Sequence, residues 1–186
     1  MLYAVVLTLL LTVSAAAQAL PKKGSARPKR HAVAAKKAPG FVSKEGRFSI
    51  DLGPTEPAFE SLAPTADSPN EAGGKYMWDL PEGVISVEYS DDPDLVIKTK
   101  QDYADLKSGM EQGGATIGGK WSKPKAFTQG PYRGYQVSFV DPEGRDASMR
   151  VLIVKRRKYT VFGLARGTES TSLLKTLDTF RLTSAK

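Results

Sequence analysis

Ala147-Ser-Met-Arg-Val-Leu-Ile-Val154, Lys155-Arg-Arg-Lys158 and Tyr159-Thr-Val-Phe-Gly-Leu-Ala165 follow one another without a break. β-Branched and aromatic residues dominate the two outer runs, which read as strands flanking a cationic turn. Upstream, Tyr132-Arg-Gly-Tyr-Gln-Val-Ser-Phe-Val140 alternates Tyr135, Val137 and Phe139 with polar neighbours, the pattern of a half-buried strand. Asp141-Pro-Glu-Gly144 joins it to Ala147 by turn chemistry: proline fixes one dihedral and glycine accepts a positive one. Lys75–Leu80 and Val84–Ser90 around Pro81-Glu-Gly83 give a further hairpin, and Gly46-Arg-Phe-Ser-Ile-Asp-Leu52 an opening strand with Phe48, Ile50 and Leu52 on one face. Between them the chain to Gly74 holds Pro54, Pro57, Pro64 and Pro69 and reads as loop, with one short strand near Ala58–Leu62.

Two helices are inserted among these hairpins. Thr99-Lys-Gln-Asp102 has the reciprocal cap of a helix start, Tyr103, Leu106 and Met110 follow at helical spacing, and Gly113-Gly114 supplies the expected stop. From Thr168 to Phe180 a hydroxyl-rich start precedes Leu173, Leu174, Leu177 and Phe180 along one stripe, and Arg181-Leu182 closes the fold. Hairpins in series with helices between them predict an α+β fold: a single domain over residues 41–186 whose antiparallel β-sheet is sandwiched between helices (α/β/α).

Charge divides the chain differently from its overall balance of 27 Lys plus Arg against 20 Asp plus Glu. Lys22, Lys23, Arg27, Lys29, Arg30, Lys36 and Lys37 place seven cations and no acid in residues 20–40, so the remaining 20 cations cancel the 20 acids. The basic character belongs to this stretch. With Pro21, Pro28 and Pro39, and only Leu20 and Val33 large and aliphatic, residues 20–40 are expected to be a disordered basic linker, unable to offset ordering entropy by burial. Seven cations suit an anionic envelope surface or another polyanion; the plainer reading is a solvated spacer. Nucleic acid is not the expected partner, because the excess does not sit on a folded face.

Ahead of the linker, Met1–Ser14 is an apolar run followed by Ala15-Ala-Ala-Gln-Ala19. Ala17 and Ala19 fit the small-x-small rule of a signal peptidase, so residues 1–19 read as a signal peptide and the product as periplasmic or secreted, with no transmembrane span in its mature form. No Lys or Arg precedes the apolar core, which departs from the usual signal; an uncleaved anchor is the alternative reading.

The absence of Cys excludes disulfides, thiolate metal sites and cysteine nucleophiles, and the one His, His31, lies in the linker, so a two-histidine metal site within the chain is excluded. Asp91, Asp92 and Asp94 lack the glycine and final glutamate of a calcium loop and read as a solvated turn; Gly113–Lys120 has the wrong spacing for a phosphate loop. No catalytic residue, metal or cofactor is therefore expected. The sharpest local feature of the body is Lys155, Arg156, Arg157 and Lys158 with Tyr159, a cluster that at a hairpin tip could grip a phosphate, a lipid headgroup or an acidic protein. The competing reading is that such tips serve solubility and edge protection.

Several of these segments resemble the PsbP-like superfamily. They are the Phe48-Ser-Ile-Asp-Leu-Gly-Pro54 strand, Glu88-Tyr-Ser-Asp-Asp-Pro93, Gly130-Pro-Tyr-Arg-Gly-Tyr-Gln136, Arg157-Lys-Tyr159 and the closing Leu177-Asp-Thr-Phe-Arg-Leu182. The superfamily includes an extrinsic subunit of photosystem II, a Ran-binding import factor and many exported bacterial proteins. The resemblance covers about Phe41 to Leu182, carries no catalytic signature and implies an antiparallel sheet between helical layers and a role as a binding or assembly subunit. Together these readings lead to an exported, non-enzymatic, monomeric binding or accessory module of the cell envelope, engaging a protein partner or an anionic surface. The alternatives are an envelope hydrolase using carboxylates, and polyanion binding through the linker.

Overall fold

A computed structural model describes residues 40–66, 69, 71–95, 97–167 and 170–183. The leader expected over residues 1–19 and, apart from Gly40, the linker expected over 20–40 lie outside them, as does His31. Within the described residues the fold is α+β and mostly antiparallel sheet. The strands are β1 Phe41–Ser43, β2 Phe48–Ile50, β3 Ala58–Leu62, β4 Ala72–Leu80, β5 Gly83–Asp91, β6 Lys120–Trp121, β7 Lys125–Gln129, β8 Tyr132–Val140, β9 Asp146–Val154, β10 Arg157–Ala165 and β11 Arg181–Leu182. Helix α1 spans Lys100–Ile117, α2 spans Ser170–Thr176, and one 3-10 turn follows at Leu177–Thr179.

The large sheet runs β3-β4-β5-β10-β9-β8, and β8 is flanked on its other side by β6 and β7 at different points along its length. The small sheet runs β1-β2-β11. Every strand pairing in the two sheets is antiparallel, as the series of hairpins predicted.

The two-residue period of β9 sorts its side chains between two cores. Ala147, Met149, Val151 and Ile153 pack with Val137 and Phe139 of β8 and with Leu106 and Met110 of α1. Leu152 faces the other way, into a cluster of Phe48, Ile50, Trp78, Tyr89, Tyr159, Leu173, Leu177 and Phe180. One face of the large sheet is thus met by α1 around β8 and β9. The other is met by α2, the 3-10 turn and the small sheet, so this second layer is only partly helical. Gly163 lets α2 and the 3-10 turn approach closely: a Cβ there would sit 3.4 Å from a methyl of Leu174 and 3.3 Å from one of Leu177.

The start of α1 is the reciprocal cap expected, with the Asp102 amide donating to Thr99 Oγ1 (3.1 Å) and the Thr99 amide donating to Asp102 Oδ2 (2.7 Å). The Thr99 amide, and after it the Lys98 amide that also donates to Asp102 Oδ2, hold the Asp102 carboxyl below its ordinary value. Gly113-Gly114 does not stop the helix, which continues to Ile117. Glycine inside a helix costs about 1 kcal/mol but does not forbid it. The stop falls at Gly118 and Gly119, whose φ values of 84° and 81° leave the right-handed helical region. The second helix is also shorter than its stripe suggested, tightening to the 3-10 turn at Leu177 while Leu173, Leu177 and Phe180 all remain buried.

Candidate functional site

The cationic hairpin closes at Val154 and Arg157, so its turn is only Lys155-Arg156. Lys155 takes φ 59°, a left-handed value, and both turn residues are exposed. Side chains of successive strand residues point to opposite faces, which separates the next two cations.

Arg157 stays on the Tyr89 face. Register pairs it with Asp91 on β5, and its Nε and Nη2 donate to Asp91 Oδ1 and Oδ2 at 2.7 and 2.5 Å. Its Nη1 donates to the Glu45 carbonyl at 2.7 Å, and the guanidinium lies 4.7 Å from the Tyr89 ring centroid. The bidentate bond to Asp91 holds the guanidinium firmly charged against the opposing pull of burial. Lys158 takes the opposite face and donates from Nζ to Glu71 Oε1 at 3.1 Å. Tyr159 is buried against Phe180, and burial pushes its hydroxyl up despite the nearby Arg157.

Of the five residues singled out at this hairpin, Lys155 and Arg156 thus stand at the surface, Arg157 and Lys158 are tied to carboxylates, and Tyr159 belongs to the core. The Asp91-Asp-Pro-Asp94 turn, distant in sequence, folds beside the tip: the Asp92 amide donates to the Arg156 carbonyl at 3.0 Å. Exposed Lys44 and Arg47 of the β1–β2 turn stand near as well, since Glu45 between them receives Arg157. The end of the molecule therefore mixes both signs. Among the described residues no group of three or more potential metal-ligating side chains is gathered, Asp91, Asp92 and Asp94 included.

On the Lys158 face, register aligns Glu60, Lys75, Glu88 and Thr160 across β3, β4, β5 and β10. Burial raises the Glu88 carboxyl above its ordinary value, opposed by Lys158 and Lys75 and assisted by Glu71 and Glu60.

A second site escaped the sequence reading. Between β7 and the start of β11 lies an open groove of about 450 Å³ whose lining includes Phe127, Gln129, Arg150, Asp178, Phe180 and Arg181. The small sheet is too narrow to cover the large one as far as β7, which leaves this side open. Arg150, in mid-strand on β9, donates from Nε to Gln136 Oε1 (2.8 Å), from Nη1 to the Leu177 carbonyl (2.7 Å) and from Nη2 to the Asp178 carboxylate. Gln129 Nε2 donates to the Phe180 carbonyl (2.7 Å), and Arg181 Nη1 to the Asp178 and Phe180 carbonyls (2.5 and 2.7 Å). The signal was present in Arg150, a lone charge inside an apolar strand that has to meet acceptors somewhere.

No family model and no curated protein matches the sequence. The structure is similar in fold to the solution structure of cyanobacterial PsbP (CyanoP) from Synechocystis sp. PCC 6803, with TM-score 0.49 and 14% identity over 83% of this chain and 98% of that one. Among the described residues no helix is long and apolar enough to cross a membrane.

Proposed function

We propose that this chain is an exported, non-enzymatic binding module of the cell envelope, held at an anionic surface by residues 20–40 and presenting its body to a partner. The observation that carries this reading is the distribution of charge. All seven excess cations lie in residues 20–40. In the body, Arg157, Lys158 and Arg150 are matched by Asp91, Glu71 and Asp178. Paired charges on a folded surface add little long-range attraction, whereas each unpaired cation close to an anionic membrane contributes about 1 kcal/mol, fading within a Debye length. Recognition by the body then rests on shape and on the exposed turn at Lys155-Arg156 rather than on a four-residue cationic point.

Crosslinking and affinity capture from the native envelope, comparing residues 20–186 with residues 41–186, tests the division of labour. Both forms should recover the same protein partner, and only the longer one should stay with the membrane fraction at low salt. Loss of the partner on removing residues 20–40 would put recognition in that stretch and overturn the reading.

A carboxylate hydrolase is the second reading, favoured by one observation: Glu88 has a raised pKa and shares its surroundings with Glu71 and Lys158. It requires turnover of chromogenic ester, glycoside or phosphate substrates that disappears in Glu88→Gln. The open groove holds a different carboxylate, Asp178, already paired with Arg150.

A further inference from the structure

The groove beside β7 is lined by two guanidiniums and one carboxylate, and Gln129 Oε1 is a buried acceptor there with no partner among the described residues, open to a donor such as a main-chain N–H. Arg150 has five N–H groups and commits three to Gln136, Leu177 and Asp178. Arg181 commits Nη1 to two carbonyls, which leaves its Nε and Nη2 for another acceptor. Two guanidiniums against the one carboxylate of Asp178 give the lining a net charge of +1. Aromatic rings share this lining: the Arg150 guanidinium lies over the Phe127 ring, 6.0 Å from its centroid, and buried Phe180 adjoins. A carboxylate joined to an apolar group complements this lining.

The strand edge beside the groove narrows the class further. β7 pairs with β8 alone among the described strands. Gly130-Pro131 forms the two-residue turn between them, Gly130 at φ 57° followed by proline's fixed negative dihedral. Gln129 and Tyr132 close that hairpin. Alternation along the ladder then turns the N–H and C=O groups of Lys125, Phe127 and Gln129 toward β8, and those of Ala126 and Thr128 outward. Unpaired main-chain groups running into a groove lined by two guanidiniums are what an extended chain end needs.

We propose that this groove binds the carboxyl terminus of a peptide. The peptide main chain pairs with the outward edge of Ala126 and Thr128, its last apolar side chain lies against Phe127, and its terminal carboxylate reaches Arg181, with Arg150 behind. An acidic sugar shares the carboxylate but has no main chain to pair with β7, so the free strand edge favours the peptide. The site is separate from residues 20–40 and stands or falls independently of any surface attachment by them.

The test is fluorescence anisotropy on the full-length protein with an N-terminally labelled pentapeptide, Ala-Thr-Ser-Val-Leu, carrying a free carboxylate. Its carboxamide should bind about tenfold more weakly or worse, as should the free acid to Arg181→Glu, since each loses a charge-assisted hydrogen bond. Thr128→Pro removes an outward N–H that makes no ladder bond, so the melting temperature should hold while affinity falls by a similar factor. N-acetyl-leucine should compete only at much higher concentration than the peptide. Equal binding of acid and amide, or no binding of the peptide, would overturn the proposal. Displacement of the peptide by trigalacturonate at lower concentration than by unlabelled peptide would reassign the groove to an acidic sugar.

Discussion

Replacing Arg157 separates a structural cation from a docking cation at the hairpin. Two charge-assisted hydrogen bonds to Asp91 would contribute about 1.5–3 kcal/mol if well shielded. The Asp91 side chain is 53% exposed, however, so screening brings this pair nearer to 1 kcal/mol. Stacking on Tyr89 adds about 0.5–1 kcal/mol, and the buried aliphatic stem, with the guanidinium 4.7 Å from the ring centroid, adds packing that alanine cannot replace. Arg157→Ala should therefore cost about 2–3 kcal/mol in urea unfolding and lower the melting temperature by about 5–10 °C for a chain of this size. Arg157→Lys keeps the charge and loses the fork and the planar stack, so it should fall between the two at about 1–2 kcal/mol. A double-mutant cycle with Asp91→Asn should return a coupling of about 0.5–1 kcal/mol. Partner capture by the folded variants should be unchanged. A loss below about 0.5 kcal/mol combined with abolished capture would mean the opposite, that the guanidinium serves a partner rather than the hairpin.

Lys155→Gly should stabilise by about 0.5 kcal/mol, since relief of the left-handed φ slightly exceeds the entropy cost of glycine, whereas Arg156→Gly, with no positive φ to relieve, should destabilise. Glu88 holds its proton more tightly folded than unfolded, so the stability it contributes is fully present below pH 4.5 and is lost as pH rises from there through its raised pKa; urea titrations of Glu88→Gln should lack that fall. Arg150→Met should cost about 2–3 kcal/mol by orphaning Gln136, the Leu177 carbonyl and the Asp178 carboxylate, with Asp178→Asn costing less because that carboxylate is mostly exposed.

The elements with a two-residue or helical period and a buried face were legible in the sequence: β4 and β5, β8, β9 and β10, the cap of α1 and the leucine stripe toward Phe180. β7 was not, because an edge strand with Lys125, Ala126 and Thr128 exposed has no core pattern to show. Two adjacent glycines, Gly113 and Gly114, look like a stop and place the end of α1 early, whereas the backbone turns at the next glycine pair.

The cationic cluster illustrates a deeper limit. Four consecutive cations are adjacent in sequence, but a strand sends alternate side chains to opposite faces, and what each meets depends on register with β5. Arg157 meets Asp91 because β10 and β5 pair with that offset, and no local pattern states the offset. The groove is hidden for the same reason: Arg150 and Asp178 are 28 residues apart and join only when the 3-10 turn settles on β9.

Partition of the chain onto phosphatidylglycerol-containing vesicles, with and without residues 20–40 and across a range of salt, bears most directly on the account. It predicts strong binding of residues 20–186 at low ionic strength that weakens steeply as salt is added, and negligible binding of residues 41–186. Equal partition of both forms, or binding insensitive to salt, would contradict it.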